Sequence, residues 1–124
     1  MKILIVDDEI RIREVVKEYA LVNGYVCDEA SDGKSAVNMA LATDYDCIIL
    51  DIMMPVMDGY EATRQIRAGK RAYWQNLPVI AMTANVFQED KRHAAECGMS
   101  GFVSKPIDME VIYSVLEKWL PKIF

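Results

Sequence analysis

The sequence is sparing with residues that often signal specialised chemistry: it has one histidine, three cysteines, four prolines and six glycines. Cys27, Cys47 and Cys97 are odd in number and lack metal-ligand spacing, which argues against a disulfide framework and a thiolate metal site. At least two fall within apolar stretches, where cysteine acts as a small hydrophobe, so structural thiols in a reducing compartment are expected. His93 stands among charged residues of a helical segment and reads as a solvated side chain, not a phosphohistidine. No apolar run approaches the ~20 residues that span a bilayer, so membrane insertion is not expected. Met1-Lys2 leads straight into a strand pattern and not a signal peptide, which makes the cytoplasm the expected location and an N-terminal or lone domain the expected context. Positive charge is scarce as well. With a formal net charge of -5 and Lys and Arg scattered along the chain, no basic stripe offers itself to a phosphate backbone, and direct nucleic-acid binding is not expected.

What is there fits one domain, residues 1–124, long enough to bury an ordinary core without staples. Short apolar runs recur at residues 3–6, 25–30, 47–50, 79–82 and 101–104, with segments of helical period between them. The first helix presents Ile12, Val15, Val16, Tyr19, Ala20 and Val22 before the stop at Asn23-Gly24. A second spans about 33–42 with Ala36, Val37, Ala40 and Leu41 inward, and a third about 59–68 with Tyr60, Thr63, Ile66 and Arg67 inward. Asp58 with Glu61, and Asn85 with Gln88, read as capping boxes. Asp108 is placed to cap a fifth helix with Val111, Ile112, Val115, Leu116 and Trp119 on its apolar stripe. Strand-helix repeated five times calls for a parallel sheet covered on both faces, with ligands bound beyond the carboxyl ends of the strands.

At those ends stand Asp7 and Asp8 after the first strand, Asp51 after the third, Thr83 after the fourth and Lys105 after the fifth. Three carboxylates so close repel, and at least one takes up a proton unless a cation is present. A hard divalent ion resolves this, and Mg2+ with its oxygen ligands suits the set better than zinc with its sulfur and nitrogen ligands. An Asp beside Mg2+, a Lys and a hydroxyl is also what attack on phosphorus requires, giving an aspartyl phosphate.

The chain resembles the receiver domains of two-component response regulators. The resemblance is carried by Val6-Asp7-Asp8-Glu9, Asp51-Ile52-Met53-Met54-Pro55-Val56-Met57-Asp58-Gly59, Met82-Thr83-Ala84 and Gly101-Phe102-Val103-Ser104-Lys105-Pro106, in that order along the whole length. It implies a flavodoxin-like, doubly wound (βα)5 three-layer α/β sandwich with a five-stranded parallel sheet in order 2-1-3-4-5. It also implies that Asp51 accepts phosphate from a phosphohistidine on a sensor or hybrid histidine kinase or a histidine phosphotransfer protein. Asp8, Asp51 and the main-chain carbonyl of Met53 would ligate Mg2+, with Asp7 acting mainly through metal-bound water.

By the same resemblance Thr83 would move to the phosphoryl group and Lys105 would pair with it. Phe102 would swing into the space Thr83 vacates and alter the face made by the fourth helix, fifth strand and fifth helix, where a downstream partner, an effector domain or a second copy would dock. Met53 and Asn85 would tune phosphate lifetime, and a cis bond is implied between Lys105 and Pro106. The stretches Ala81–Asn85 and Ser104–Ile107 look more like receivers attached to hybrid kinases than those joined to DNA-binding domains. No effector domain fits within these residues, so a stand-alone or excised receiver is expected.

Rival readings fit less well. A phosphatase with an Asp nucleophile wants a second acid two residues on, where Met53 stands. A phosphorylation-independent docking module of the same fold would be suggested by loss of a site residue, and none is lost. A flavin carrier needs a hydroxyl- and glycine-rich loop where this chain has acids. Of Met53, Met54 and Met57, loop packing is expected, not metal binding.

Overall fold

The structure is a computed structural model that describes residues 1–54, 57–69, 71–83, 88–105 and 109–119. Its strands are β1 (Lys2–Val6), β2 (Val26–Ala30), β3 (Cys47–Asp51), β4 (Val79–Thr83) and β5 (Gly101–Ser104). They form one parallel sheet in the order β2-β1-β3-β4-β5. The helices are α1 (Ile10–Val22), α2 (Gly33–Ala42), α3 (Gly59–Arg67), α4 (Ala72–Asn76), α5 (Gln88–Glu96) and α6 (Met109–Trp119).

Alternation along the central strands sends side chains to two cores, which is why the strands read as continuous apolar runs. Leu4, Val6, Ile48, Leu50, Val79 and Ala81 pack on one face with Ala36, Val37 and Ala40 of α2, Ala62 and Ile66 of α3, and Ala94 of α5. Ile3, Ile5, Cys47, Ile49, Ile80, Met82 and Val103 pack on the other with Val16 and Ala20 of α1 and Ile112 and Leu116 of α6. The three-layer sandwich expected from the sequence is therefore what forms.

The expected helical stripes are broader than the buried ones. Val15, Val22, Leu41 and Val111 are exposed at 40%, 81%, 43% and 43%. Each helix meets the sheet along a narrow seam, and residues at its margin or last turn project past the strands. Asp58 caps α3 through Glu61 N–H at 2.9 Å, while the Glu61 carboxylate pairs with Arg64. Asn85 and Asp108, the other expected caps, lie outside the described residues.

The sequence predicts five helices, but six are present among the described residues, because the single turn α4 is too short for periodicity to reveal. Tertiary contacts hold it. The Trp74 indole donates to Ala40 O at 3.2 Å and its ring lies over Gly69, where a Cβ would come within 2.2 Å of it. Arg67 donates to Trp74 O at 2.9 Å. The fourth and fifth helices of the sequence reading are thus α5 and α6.

Candidate functional site

Strand register brings the acids together. Val6 pairs with Leu50, so Asp7 and Asp51 each stand one residue beyond a matched pair at the carboxyl edge. Asp51 pairs with Met82, and Thr83 follows, buried at 2% exposure. The ladder runs one residue past each strand through Asp7 N–H to Ala30 O (3.2 Å), Ile52 N–H to Met82 O (3.0 Å) and Lys105 N–H to Thr83 O (2.8 Å).

One carboxylate oxygen from each of Asp7, Asp8 and Asp51 lies within 4.8 Å of the others. Asp7 and Asp51 are buried at 0% and 2% exposure, whereas Asp8 faces solvent. Lys105 Nζ sits 2.9 Å from Asp7 Oδ2 and 3.5 Å from Asp51 Oδ2. The contact to Asp7 is a charge pair without hydrogen-bond alignment, and Asp7 Oδ2 has no aligned donor among the described residues. Asp7 Oδ1 accepts from Glu9 N–H at 2.9 Å, and Asp51 Oδ1 from Met53 N–H at 3.2 Å.

The electrostatics follow from burial first and crowding second. Burial raises the Asp51 carboxyl to about 6; the charge of Asp7 adds to this, and Lys105 with Met53 N–H opposes it. Asp7 is raised for the same first reason, against the pull of Glu9 N–H and Lys105. Burial alone would lower Lys105, but its two carboxylate partners outweigh that and hold it raised. Among the described residues, three carboxylates face one ammonium, which leaves negative charge unmatched. An all-oxygen donor set with a buried oxygen lacking an aligned donor fits a hard divalent cation such as Mg2+.

The start of α3 is held tightly against the end of β3. A Cβ on Gly59 would lie 2.6 Å from Asp51 O and 2.9 Å from Ile52 Cα, so α3 begins where only glycine fits. Gly59 N–H donates to Ile52 O at 3.0 Å. Met54 is buried and Met57 packs on the core, as loop packing predicts, but Met53 is 65% exposed. Its main-chain N–H faces the pocket, bonded to Asp51 Oδ1 at 3.2 Å.

Phe102 is half-buried, packed on the core edge, with Lys91 Nζ 6.0 Å from its ring centroid. It lines a groove of about 350 Å³ with Lys91, Ala94, Met99, Gly101 and Val111, between α5 and α6. Asn85 and Pro106 lie outside the described residues. His93 is exposed as expected, yet it also stacks on Tyr60 at 4.1 Å and lies 3.2 Å from Arg64 Nη2. No described helix is long and apolar enough to cross a membrane.

Two arginines escaped the sequence reading in these roles, Arg13 beside the site and Arg67 at the opposite, amino-terminal edge of the sheet. Arg13 Nη1 donates to Asp7 O at 2.7 Å, and Arg67 donates to Gly98 O at 2.6 and 3.0 Å. Period alone places Arg67 on the inner side of α3 and gives no hint of its partners.

A parallel sheet wound in this order, with three acids and a lysine at its carboxyl edge, defines the class: a flavodoxin-like α/β domain with an acidic ligand edge. The chain belongs to the response regulator receiver domain family, which its residues 3–117 match. It is 36% identical over 123 residues to the sensor histidine kinase RcsC of Escherichia coli (strain K12), covering 99% of this chain and 12% of that protein. It is 39% identical over 115 residues to the transcriptional regulatory protein ResD of Bacillus subtilis (strain 168), covering 92% of this chain and 46% of that protein. The chain therefore spans less than half the length of either relative. Among solved structures, the receiver domain of sensor histidine kinase PA1611 from Pseudomonas aeruginosa PAO1 is similar at a TM-score of 0.86 and 35% identity, over 95% of each chain. That structure holds a magnesium ion coordinated in its active-site cleft. The chain is thus a receiver domain of two-component phosphorelay signalling, homologous to receivers of both histidine kinases and response regulators.

Proposed function

We propose that the chain is a Mg2+-dependent covalent switch in which Asp51 accepts a phosphoryl group from a phosphohistidine on a histidine kinase or histidine phosphotransfer protein. The observation that carries this reading is the meeting of Asp7, Asp8 and Asp51 with Lys105 Nζ at 2.9 and 3.5 Å from two of the three. Beyond its own phosphorylation and dephosphorylation the domain would catalyse nothing, and it would work in the cytoplasm.

Asp7, Asp8, Asp51 and the main-chain carbonyl of Met53 would hold Mg2+, which when bound supplies charge neutralisation for the attacking carboxylate and the phosphoryl oxygens. One Asp51 carboxylate oxygen forms the new bond to phosphorus as the phosphorus–nitrogen bond of the donor breaks and the imidazole leaves. Lys105 already bridges Asp7 and Asp51, so a small movement carries its ammonium to a phosphoryl oxygen. Thr83, one residue beyond the partner of Asp51, offers the hydroxyl on the other side. Exposed Met53 would limit water's approach and, with Asn85, set how long the phosphate lasts.

The phosphoryl group adds about -1.5 to -2 charge and three acceptor oxygens. Drawing Thr83 and Lys105 inward would make room for Phe102 to turn from the α5–α6 groove, changing the face offered to a downstream protein or a second copy. Coupling of about 1 to 3 kcal/mol would shift partner affinity roughly 5- to 150-fold.

Incubation with Mg2+ and acetyl phosphate should add one acid-stable, base-labile phosphoryl group, read by mass, and Asp51→Asn should abolish it. Beryllofluoride should occupy the same site. No gain in the wild type, or equal gain in the variant, would refute the mechanism and leave a phosphorylation-independent docking module as the better reading.

A further inference from the structure

The acids that converge at the sheet edge sit on a turn, and a turn needs something to hold it. Asp7 marks the point where the chain leaves β1. Its N–H is still in the sheet, bonded to Ala30 O, but its C=O takes a side-chain donor instead, three residues before α1 begins at Ile10. That carbonyl accepts from Arg13 Nη1 at 2.7 Å, the side chain reaching back from the first turn of α1. Arg13 is itself aimed: its Nε lies 3.3 Å from Glu29 Oε1 on β2, and Lys17 Nζ holds Glu29 Oε2 at 3.3 Å. Glu29 pairs in register with Ile5, which fixes its place beside the end of β1. The Arg13 side chain is 15% exposed and that of Glu29 30%, so the clamp is part-buried.

We infer that Arg13 is a positioning residue for the Mg2+ site: its guanidinium, oriented by Glu29, locks the Asp7 carbonyl and so presents the Asp7 and Asp8 carboxylates together. The inference rests on reading Asp7, Asp8 and Asp51 as that site. Arg13 acts through the main chain; its positive charge is matched by Glu29, and its donated proton goes to a carbonyl and not to any of the three carboxylates. Without the clamp the peptide between Asp7 and Asp8 gains rotational freedom, and the exposed Asp8 carboxylate spreads over more positions. The loss falls on Mg2+ affinity, because groups that orient metal ligands typically govern it by about 10- to 100-fold.

The test is a calorimetric titration of the whole chain with Mg2+ alone, well below its melting temperature. Arg13→Met keeps the aliphatic stem and should weaken Mg2+ binding about tenfold, whereas Lys17→Met, which touches Glu29 but not Asp7, should stay within about threefold of wild type. At saturating Mg2+ the acetyl phosphate reaction of Arg13→Met should recover the wild-type rate, so that the deficit lies in the Mg2+ dependence. Should Arg13→Met not fold, Glu29→Gln leaves the arginine in place without its guide and should weaken Mg2+ binding by about threefold or more. Unchanged affinity in the folded variant, or equal weakening by Lys17→Met, overturns the positioning role. Absence of Mg2+ binding by the wild type overturns instead the site reading on which it rests.

Discussion

Replacing Asp51 by Asn should stabilise the metal-free fold, although it destroys the proposed phosphoacceptor. The Asp51 side chain is 3% exposed, and burial with the neighbouring Asp7 charge moves its carboxyl from 3.8 to about 6. At about 1.4 kcal/mol for each tenfold, holding it ionised costs the folded state about 3 kcal/mol at neutral pH. Asn removes that cost while its carbonyl oxygen can keep the Met53 N–H, and Lys105 keeps Asp7 at 2.9 Å. After allowance for the lost Asp51–Lys105 pairing, a gain of about 2 kcal/mol, or roughly 8 °C in Tm, is expected.

The sign with pH is fixed. A carboxyl whose pKa is raised in the folded state starts to cost stability when its unfolded counterpart ionises, near 3.8, and costs the full amount once the folded one ionises too, so variant and wild type should be equally stable below about pH 4. The gap should open between about 4 and 6 and stay constant above. Denaturant unfolding in EDTA across this range measures it. Saturating Mg2+ should then favour the wild type, by about 2.7 kcal/mol at a hundred times Kd, and close or invert the gap. A variant no more stable than wild type in EDTA at pH 7.5, or a gap as large at pH 4, would refute the account of a crowded, cation-seeking pocket.

Two further substitutions probe the pocket and, at the opposite edge of the sheet, the frame that carries it. Lys105→Ala should cost about 2 kcal/mol in EDTA, because it leaves two buried carboxylates facing each other without their ammonium. It should leave Mg2+ affinity unchanged or tighter and uncouple phosphorylation from partner binding; a tenfold weaker Mg2+ titration, or intact partner coupling, would count against its role. Arg67→Met should cost about 2 to 3 kcal/mol in denaturant unfolding, since the half-buried guanidinium holds Gly98 O and Trp74 O together, and a loss below about 0.5 kcal/mol would refute that.

The frame was legible because it is written in burial, and burial is written in hydropathy. Runs buried on both faces, such as Ile3–Val6 and Cys47–Leu50, are unbroken in the sequence, and the helices between them carry a 3.6-residue period. Where burial depends on the exact rotation of a helix against the sheet, the pattern overreached, as at Val15 and Leu41. Where an element is held by contacts outside itself, as α4 is by Ala40 on α2 and by Arg67 and Gly69 just before it, local pattern had nothing to report.

The same division runs through the site. Asp7, Asp51, Thr83 and Lys105 stood out because a polar residue ending an apolar run is locally anomalous, and a parallel sheet gathers such ends at one edge. Arg13 carries no such mark. It lies in an amphipathic helix among other charged residues, where an arginine is ordinary, and its meaning depends on two partners outside its helix: Asp7 O six residues back and Glu29 on the neighbouring strand. The residues that bear the chemistry are therefore visible as exceptions to the hydrophobic pattern, whereas those that aim them obey the pattern and are hidden by it. Searching the second strand for an acid in register with the end of the first, facing a basic residue one turn into α1, is the signal that would have found this clamp from sequence.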